Sequence, residues 1–318
     1  MKIFLSIASY RDPFLPYTVM SAYQHATYKN DLTFGIVEQA YAKEFFDLHT
    51  FGFKKQIRYY QIDPLYANGA CAARHLAQTL YNDETYFFQI DSHTVFDPGW
   101  DEYLIAKLEQ LRVNHPRPII SGNPREFVIP DYKNIHSIER RDHNHFLALC
   151  VHEPTSFKEG HVVLCATLII HEQGPVYGFY VKGGILFTLG EVINEVPYDP
   201  HLYFYGEEQS LALRLWTHGY DIFHLRYLPI YTCLDREYRL LHWSDPIDQQ
   251  REQKWWSLEQ HSRNRLSEIV TGQLRGIYGV GQVRSIQAYA DFCGIDYFNR
   301  KIAAKAITGE GIFQPARR

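Results

Sequence analysis

Hydrophobic and polar positions alternate in blocks over the first ~115 residues, and the period switches from block to block. Residues 2–9 (KIFLSIAS) form an apolar, β-rich run that stops at the polar turn "YRDP". Residues 16–26 (PYTVMSAYQHA) return apolar side chains at helical spacing. Two further apolar runs, 32–39 (LTFGIVEQ) and 56–63 (QIRYYQID), read as strands. Residues 69–81 open on a glycine and space Ala73, Leu76, Ala77 and Leu80 as a helix does. Another strand is predicted at 85–91 (TYFFQID), then an amphipathic helix at 100–112 with Tyr103, Leu104, Leu108 and Leu111 on its apolar side. Strand–helix alternation of this kind implies an α/β fold, a mainly parallel sheet with helices on both faces.

From residue 117 the texture changes to short apolar runs between polar turns. Strands are expected within 161–170 and 177–190, and a helix over 206–219 with Leu211, Leu215 and Trp216 turned inward. Gly219 is its expected stop. The tail from Arg251 reads as polar and helical, with Trp255 and Trp256 as packing anchors. The expected organisation is a catalytic domain over 1–250, with a nucleotide-binding half (1–115) and a sugar- and acceptor-binding half (116–250). A helical C-terminal extension (251–318) follows.

Bulk properties narrow the function. A formal net charge of −4 over 318 residues provides no global basic footprint for nucleic acid. No stretch approaches the ~20 apolar residues of a membrane span, and the N-terminal run, broken by Ser6, Ser9 and Arg11, reads as a strand rather than a leader. Five scattered cysteines without a C-x-x-C suit a reducing compartment, so a cytoplasmic location is expected. Aromatic residues reach 15%, which a Tyr-rich core explains more readily than stacking on ligand rings.

The segment 86–101, YFFQIDSHTVFDPGWD, holds the sharpest chemistry. An apolar strand runs into Asp91-Ser92-His93. Both ionisable side chains are costly to bury alone, and both are good ligands for a divalent metal. Two-residue spacing on a strand would set them on one face. The bland alternative is an Asp that caps the next turn beside a surface His. Glu207 and Glu208 open a predicted helix. Its N-terminus favours acidic side chains by ~0.3–1 kcal/mol; alternatively, one carboxylate faces a pocket. Gly183-Gly184 permits close backbone approach to a ligand, or marks a bulge. Arg11, just past the first strand, and Arg74, on a helix, are candidate partners for phosphate.

Taken in order, "IASYRDP", "AARHLAQTLY", "YFFQIDSHTVF", "GGILFTLGE", "EVPYDPHLYFYGEE", "RLWTHGYD", the His-Trp at 242–243 and "GVGQVRSIQAYADFCGID" give the chain a family likeness. It resembles the GlcNAc-transferase family typified by the cytoplasmic enzymes that glycosylate hydroxyproline, from residue 3 to about 295. The D-S-H element also resembles that of the polypeptide GalNAc-transferases. The resemblance implies a GT-A fold (Rossmann-like, mixed, mainly parallel), a UDP-sugar donor with GlcNAc as the expected sugar, retention of anomeric configuration, and a protein or polysaccharide acceptor. It implies Mn²⁺, with Mg²⁺ as the alternative, held by Asp91 and His93. Ser9, Arg11, Arg74 and Asp91 would line the nucleotide site, with Gly183 and Gly184 near the donor sugar and Glu207 or Glu208 facing sugar and acceptor. Family members often carry a histidine in the segment matching 229–236, where this chain has Thr232. His242 is therefore the expected third metal ligand, His224 the reserve, and a two-ligand site the third option. The rival readings are a metal-dependent hydrolase drawing on His152, His161 and His171, and a non-catalytic carbohydrate- or nucleotide-sugar-binding protein.

Overall fold

A computed structural model of the chain describes residues 2–152, 157 and 160–316. The alternating first third folds as its periodicity predicts. Strand β1 (Ile3–Tyr10) is followed by helix α1 (Leu15–His25), β2 (Leu32–Gln39), β3 (Ile57–Ile62), α2 (Ala70–Gln78), β4 (Tyr86–Asp91), the short β5 (Thr94–Phe96) and α3 (Trp100–Arg112). In α3, Leu104, Leu108 and Leu111 are buried at helical spacing, each worth ~1.5–3 kcal/mol of transfer free energy. Asp101, in its first turn, accepts the backbone N–H groups of Thr27 and Tyr28 at 2.8 and 2.7 Å and so ties α3 to the end of α1.

The second half is more broken. It contains β6 (Pro118–Ser121), β7 (Arg125–Val128), β8 (Glu139–Arg141), β9 (Phe146–Val151), β10 (Cys165–Ile170), β11 (Val176–Gly178) and β12 (Ile185–Leu189). Helices α4 (Val192–Glu195) and α5 (Glu207–Thr217), strands β13 (Asp221–His224) and β14 (Ile230–Cys233), helices α6 (Trp255–Val270) and α7 (Ile286–Cys293), the short antiparallel pair β15 (Ile295–Asp296) and β16 (Lys301–Ile302), and helix α8 (Ala304–Thr308) complete the order. The run 177–190 divides between β11 and β12, with the glycine pair ahead of β12. It breaks at a tight turn in which the N–H of Ile185 bonds the carbonyl of Lys182 at 3.1 Å.

The central eight-stranded sheet has the order β11-β13-β6-β12-β4-β1-β2-β3. Strands β3, β2, β1 and β4 are parallel neighbours, β12 is antiparallel to both β4 and β6, and β13 runs parallel to β6. Strand β1 shows the period of two directly. Ile3, Leu5 and Ile7 enter the cluster under α1 and α3, whereas Phe4 enters the cluster on the other side. A smaller sheet, β5-β14-β7-β8, stands beside the end of β4.

The tail is not an appendage. Leu266, Ile269 and Val270 of α6, Tyr289 and Cys293 of α7, and Tyr297 and Phe313 share one core cluster with Leu211 and Leu215 of α5. Of the two expected anchors, Trp255 is part-buried and Trp256 is 57% exposed, and the buried apolar residues of α6 lie later in the helix. Within the broken stretch between α3 and α5, residues 153–156 and 158–159 lie outside the described residues. Among the described residues no helix is long and apolar enough to cross a membrane.

Candidate active site

The carboxyl ends of β1, β2 and β4 open on one cleft of about 560 Å³. Ligands bind at this edge in open α/β sheets. Because β12 is antiparallel to β4, its leading residues Gly183 and Gly184 arrive at the same edge, with Ile185 opposite Ile90. Antiparallel pairing of β14 with β5 sets Thr232 opposite Thr94 and brings Cys233 N–H to the carbonyl of His93 at 3.1 Å.

Asp91 is the last residue of β4, and the chain bends through Ser92-His93 before β5. The bend, not continued strand alternation, brings the two side chains together: His93 Nε2 lies 3.9 Å from Asp91 Oδ2. Asp91 Oδ1 accepts from Arg74 Nη2 at 2.8 Å. Burial pushes the Asp91 carboxyl up, but Arg74, His93, Arg239 and Lys182 together hold it below its ordinary range, so it stays ionised at neutral pH. His93 Nδ1 meets Asp12 Oδ2 at 2.9 Å, and its Nε2 faces Arg239 Nη2 at 3.4 Å.

This pair fits a divalent cation. Asp91 Oδ2 and His93 Nε2 face each other across a gap that two metal–ligand bonds of about 2.1 Å would close, with the Arg239 guanidinium beside Nε2 the group that an ion would displace. No group of three or more His, Cys, Asp or Glu poised around one point exists among the described residues. Asp91 and His93 therefore stand as a two-residue pair, and His152, His161 and His171 do not converge on it. His242 lines the cleft but is committed elsewhere: Nδ1 pairs with the Tyr203 hydroxyl at 2.7 Å and Nε2 with the Ala67 carbonyl at 2.9 Å. His224 is fully buried, with Nε2 on the Tyr180 carbonyl and Nδ1 on Leu149 N–H. Neither the expected third ligand nor its reserve reaches the pair. Thr232 lines the cleft next to His93, and its buried hydroxyl has no partner.

The glycine pair is required by close approach. A Cβ on Gly184 would run into Asp91 Oδ2 and lie 3.0 Å from its Cγ. One on Gly183 would lie 2.7 Å from Glu207 Oε1 and 3.0 Å from both terminal nitrogens of Arg74. Arg74 Nη1 also donates to the Gly183 carbonyl. Arg74, which lines the cleft, thus braces the glycine turn to Asp91 through its two terminal nitrogens.

Both carboxylates at the start of α5 line the cleft. Glu208 Oε1 accepts the Gly183 N–H at 2.8 Å, and its charge is the main reason the Lys182 ammonium is held above its ordinary pKa. Glu207 is buried and accepts from the Cys71 thiol at 2.8 Å. Burial raises its pKa against the opposing pull of Arg74.

Ser9 lines the cleft, with a buried hydroxyl lacking a partner. Arg11 does not line it. Its guanidinium is ion-paired to Glu44 at 2.6 Å and Asp245 at 2.9 Å, and its backbone takes a positive φ of 41°. It shapes the turn instead of meeting a ligand. Sequence reasoning missed Asp12, Cys71, Lys182, Arg236 and Arg239. Lys182 adjoins the glycine pair, so that signal was present, whereas Arg236 and Arg239 are interspersed with Asp235 and Glu237 and form no basic run. Nothing marked Asp12 or Cys71.

The sheet order and the cleft at its carboxyl edge define a GT-A-type glycosyltransferase fold. The sequence model of the family described as Glycosyltransferase (GlcNAc) matches residues 43–299, and the chain belongs to that family. No curated protein sequence matches it. Among solved structures, GalNAc-T7 with UDP, GalNAc and Mn²⁺ superposes with a TM-score of 0.61 at 13% identity, over 92% of this chain and 54% of that one. The chain thus spans about half the length of that protein, and the likeness is one of fold. S. aureus TarS 1–349 in complex with UDP-GlcNAc gives a TM-score of 0.48 at 11% identity, over 85% of this chain and 73% of that one.

Proposed function

We propose that the protein transfers a sugar, GlcNAc in the first instance, from a UDP-sugar to an acceptor hydroxyl on a protein or polysaccharide, with Mn²⁺ and retention of configuration. The observation that carries this reading is the Asp91–His93 pair, braced by Arg74 and pressed against Gly184 at the floor of the family's cleft. Asp91 and His93 would hold the ion. When bound, a divalent ion neutralises charge that builds on the departing diphosphate. The C1–O bond to UDP breaks with its electron pair leaving on phosphate. The acceptor oxygen bonds C1 from the same face, and its proton passes to that phosphate. The sugar carbon gains positive charge on the way, and Glu207 or Glu208 stabilises it from the start of α5. The turn at Gly183-Gly184 admits the sugar because it presents backbone alone.

A screen of UDP-sugars for UDP release with Mn²⁺, with and without acceptor, tests this. We expect turnover with UDP-GlcNAc that EDTA stops, Mn²⁺ restores and Asp91→Asn nearly abolishes. Turnover unaffected by EDTA, or wild-type turnover by Asp91→Asn, would refute the cation-assisted route.

A further inference from the structure

The chain bends directly after β1. Arg11 takes its positive φ there, with its N–H on the Gln39 carbonyl at 3.1 Å and its side chain fixed by Glu44 and Asp245. The next residue, Asp12, is thereby driven under the end of β4, where its side chain is fully buried. Its carboxylate is held at both oxygens. Oδ1 accepts the Phe14 N–H at 2.9 Å, and Oδ2 accepts the Ser92 hydroxyl at 2.7 Å and meets His93 Nδ1 at 2.9 Å.

The two neighbours of the His93 ring assign its proton. A carboxylate offers only acceptors, so the nitrogen facing Asp12 is the one that donates. The opposite nitrogen faces a guanidinium, which offers only donors. Both contacts require the proton on Nδ1 and the lone pair on Nε2, the atom turned toward Asp91. We infer that Asp12 is a positioning residue for the cation site: it locks His93 in the Nδ1–H form and aims the Nε2 lone pair at the metal position. This rests on the cation reading above. Removing a carboxylate that orients a ligating imidazole typically weakens metal binding 10–100-fold.

Two measurements on the full-length protein test it, neither needing turnover. Nitrogen-15 NMR of histidine-labelled protein, with His93 identified by its loss in His93→Gln, reads the tautomer. We expect the proton on Nδ1 in the wild type. Mn²⁺ titration by electron paramagnetic resonance reads affinity. Asp12→Asn, which keeps an acceptor for Phe14 N–H, should bind Mn²⁺ about tenfold more weakly, and Asp12→Ala up to about a hundredfold. A wild-type His93 carrying its proton on Nε2 would overturn the assignment. So would Asp12→Asn binding Mn²⁺ within twofold of wild type. If the tautomer is as assigned but the wild type binds no Mn²⁺, the cation reading falls, and this role for Asp12 falls with it.

Discussion

The contact between Gly184 and Asp91 allows a methyl group to be used as a ruler. Gly184 is not in the left-handed region, so Gly184→Ala meets no backbone penalty there. The added carbon instead presses on Asp91 Oδ2 and sits 3.0 Å from Cγ, whereas carbon atoms rest at about 3.5–4.0 Å. Asp91 or the glycine turn must give by about 0.5–1 Å. Asp91 is resisted by its 2.8 Å bond to Arg74, and the turn by the Glu208 bond to Gly183 N–H. A misplacement of about 1 Å at reacting groups costs about 100-fold in rate, equivalent to about 2.7 kcal/mol of barrier. We expect kcat/KM to fall roughly 100-fold, with Mn²⁺ affinity falling in parallel, while the thermal midpoint moves little. The assay is initial-rate UDP release at varied UDP-sugar. Gly52→Ala and Gly174→Ala, whose added carbons meet nothing within 4 Å, serve as controls. Activity of Gly184→Ala within threefold of wild type would refute both the tight approach and the role given to Asp91.

Two other measurements follow from buried groups. His224 and His242 are held neutral by burial, each with a pKa depressed from 6.5 to about 4. The unfolded chain takes up these protons first, so stability falls as pH drops from about 6.5 toward 4, by about 3 kcal/mol per histidine. Urea midpoints at pH 7 and pH 4.5 should differ strongly, and equal midpoints would contradict the burial of the two rings. Cys71 should matter through Glu207: Cys71→Ser keeps a donor and should stay within about threefold of wild-type kcat, whereas Cys71→Ala, which leaves a buried carboxylate oxygen without its partner at a cost of ~1–3 kcal/mol, should lose about tenfold or more. Equal rates for the two variants would dismiss the thiol.

The strands and helices of the first third were legible because each repeats its own period long enough to be counted. The second half resisted because its strands are only two to six residues long and several pair with segments far along the chain. Asp91 and His93 announced themselves as polar residues at the end of an apolar strand, and the two glycines as an unusual pair. Their closeness comes from a bend that no spacing rule specifies. Arg11 misled because a charged residue after a strand resembles a ligand contact, while the two carboxylates that occupy it lie 33 and 234 positions away. His242 misled for the same reason, since Tyr203 and Ala67 claim its ring from distant parts of the chain. Asp12 is one of many acidic residues until the turn buries it behind His93.

The sharing of one apolar interior by α5, α6 and α7 has a practical corollary. Trimming the protein at residue 250 to obtain a smaller enzyme would strip the covering from Leu211, Leu215 and Tyr180, and would remove Arg251, which bonds the carbonyls of His242 and Pro64 beside the cleft. A shortened version should emerge insoluble, so designs that graft or swap acceptor specificity must carry these last turns along as part of the machine.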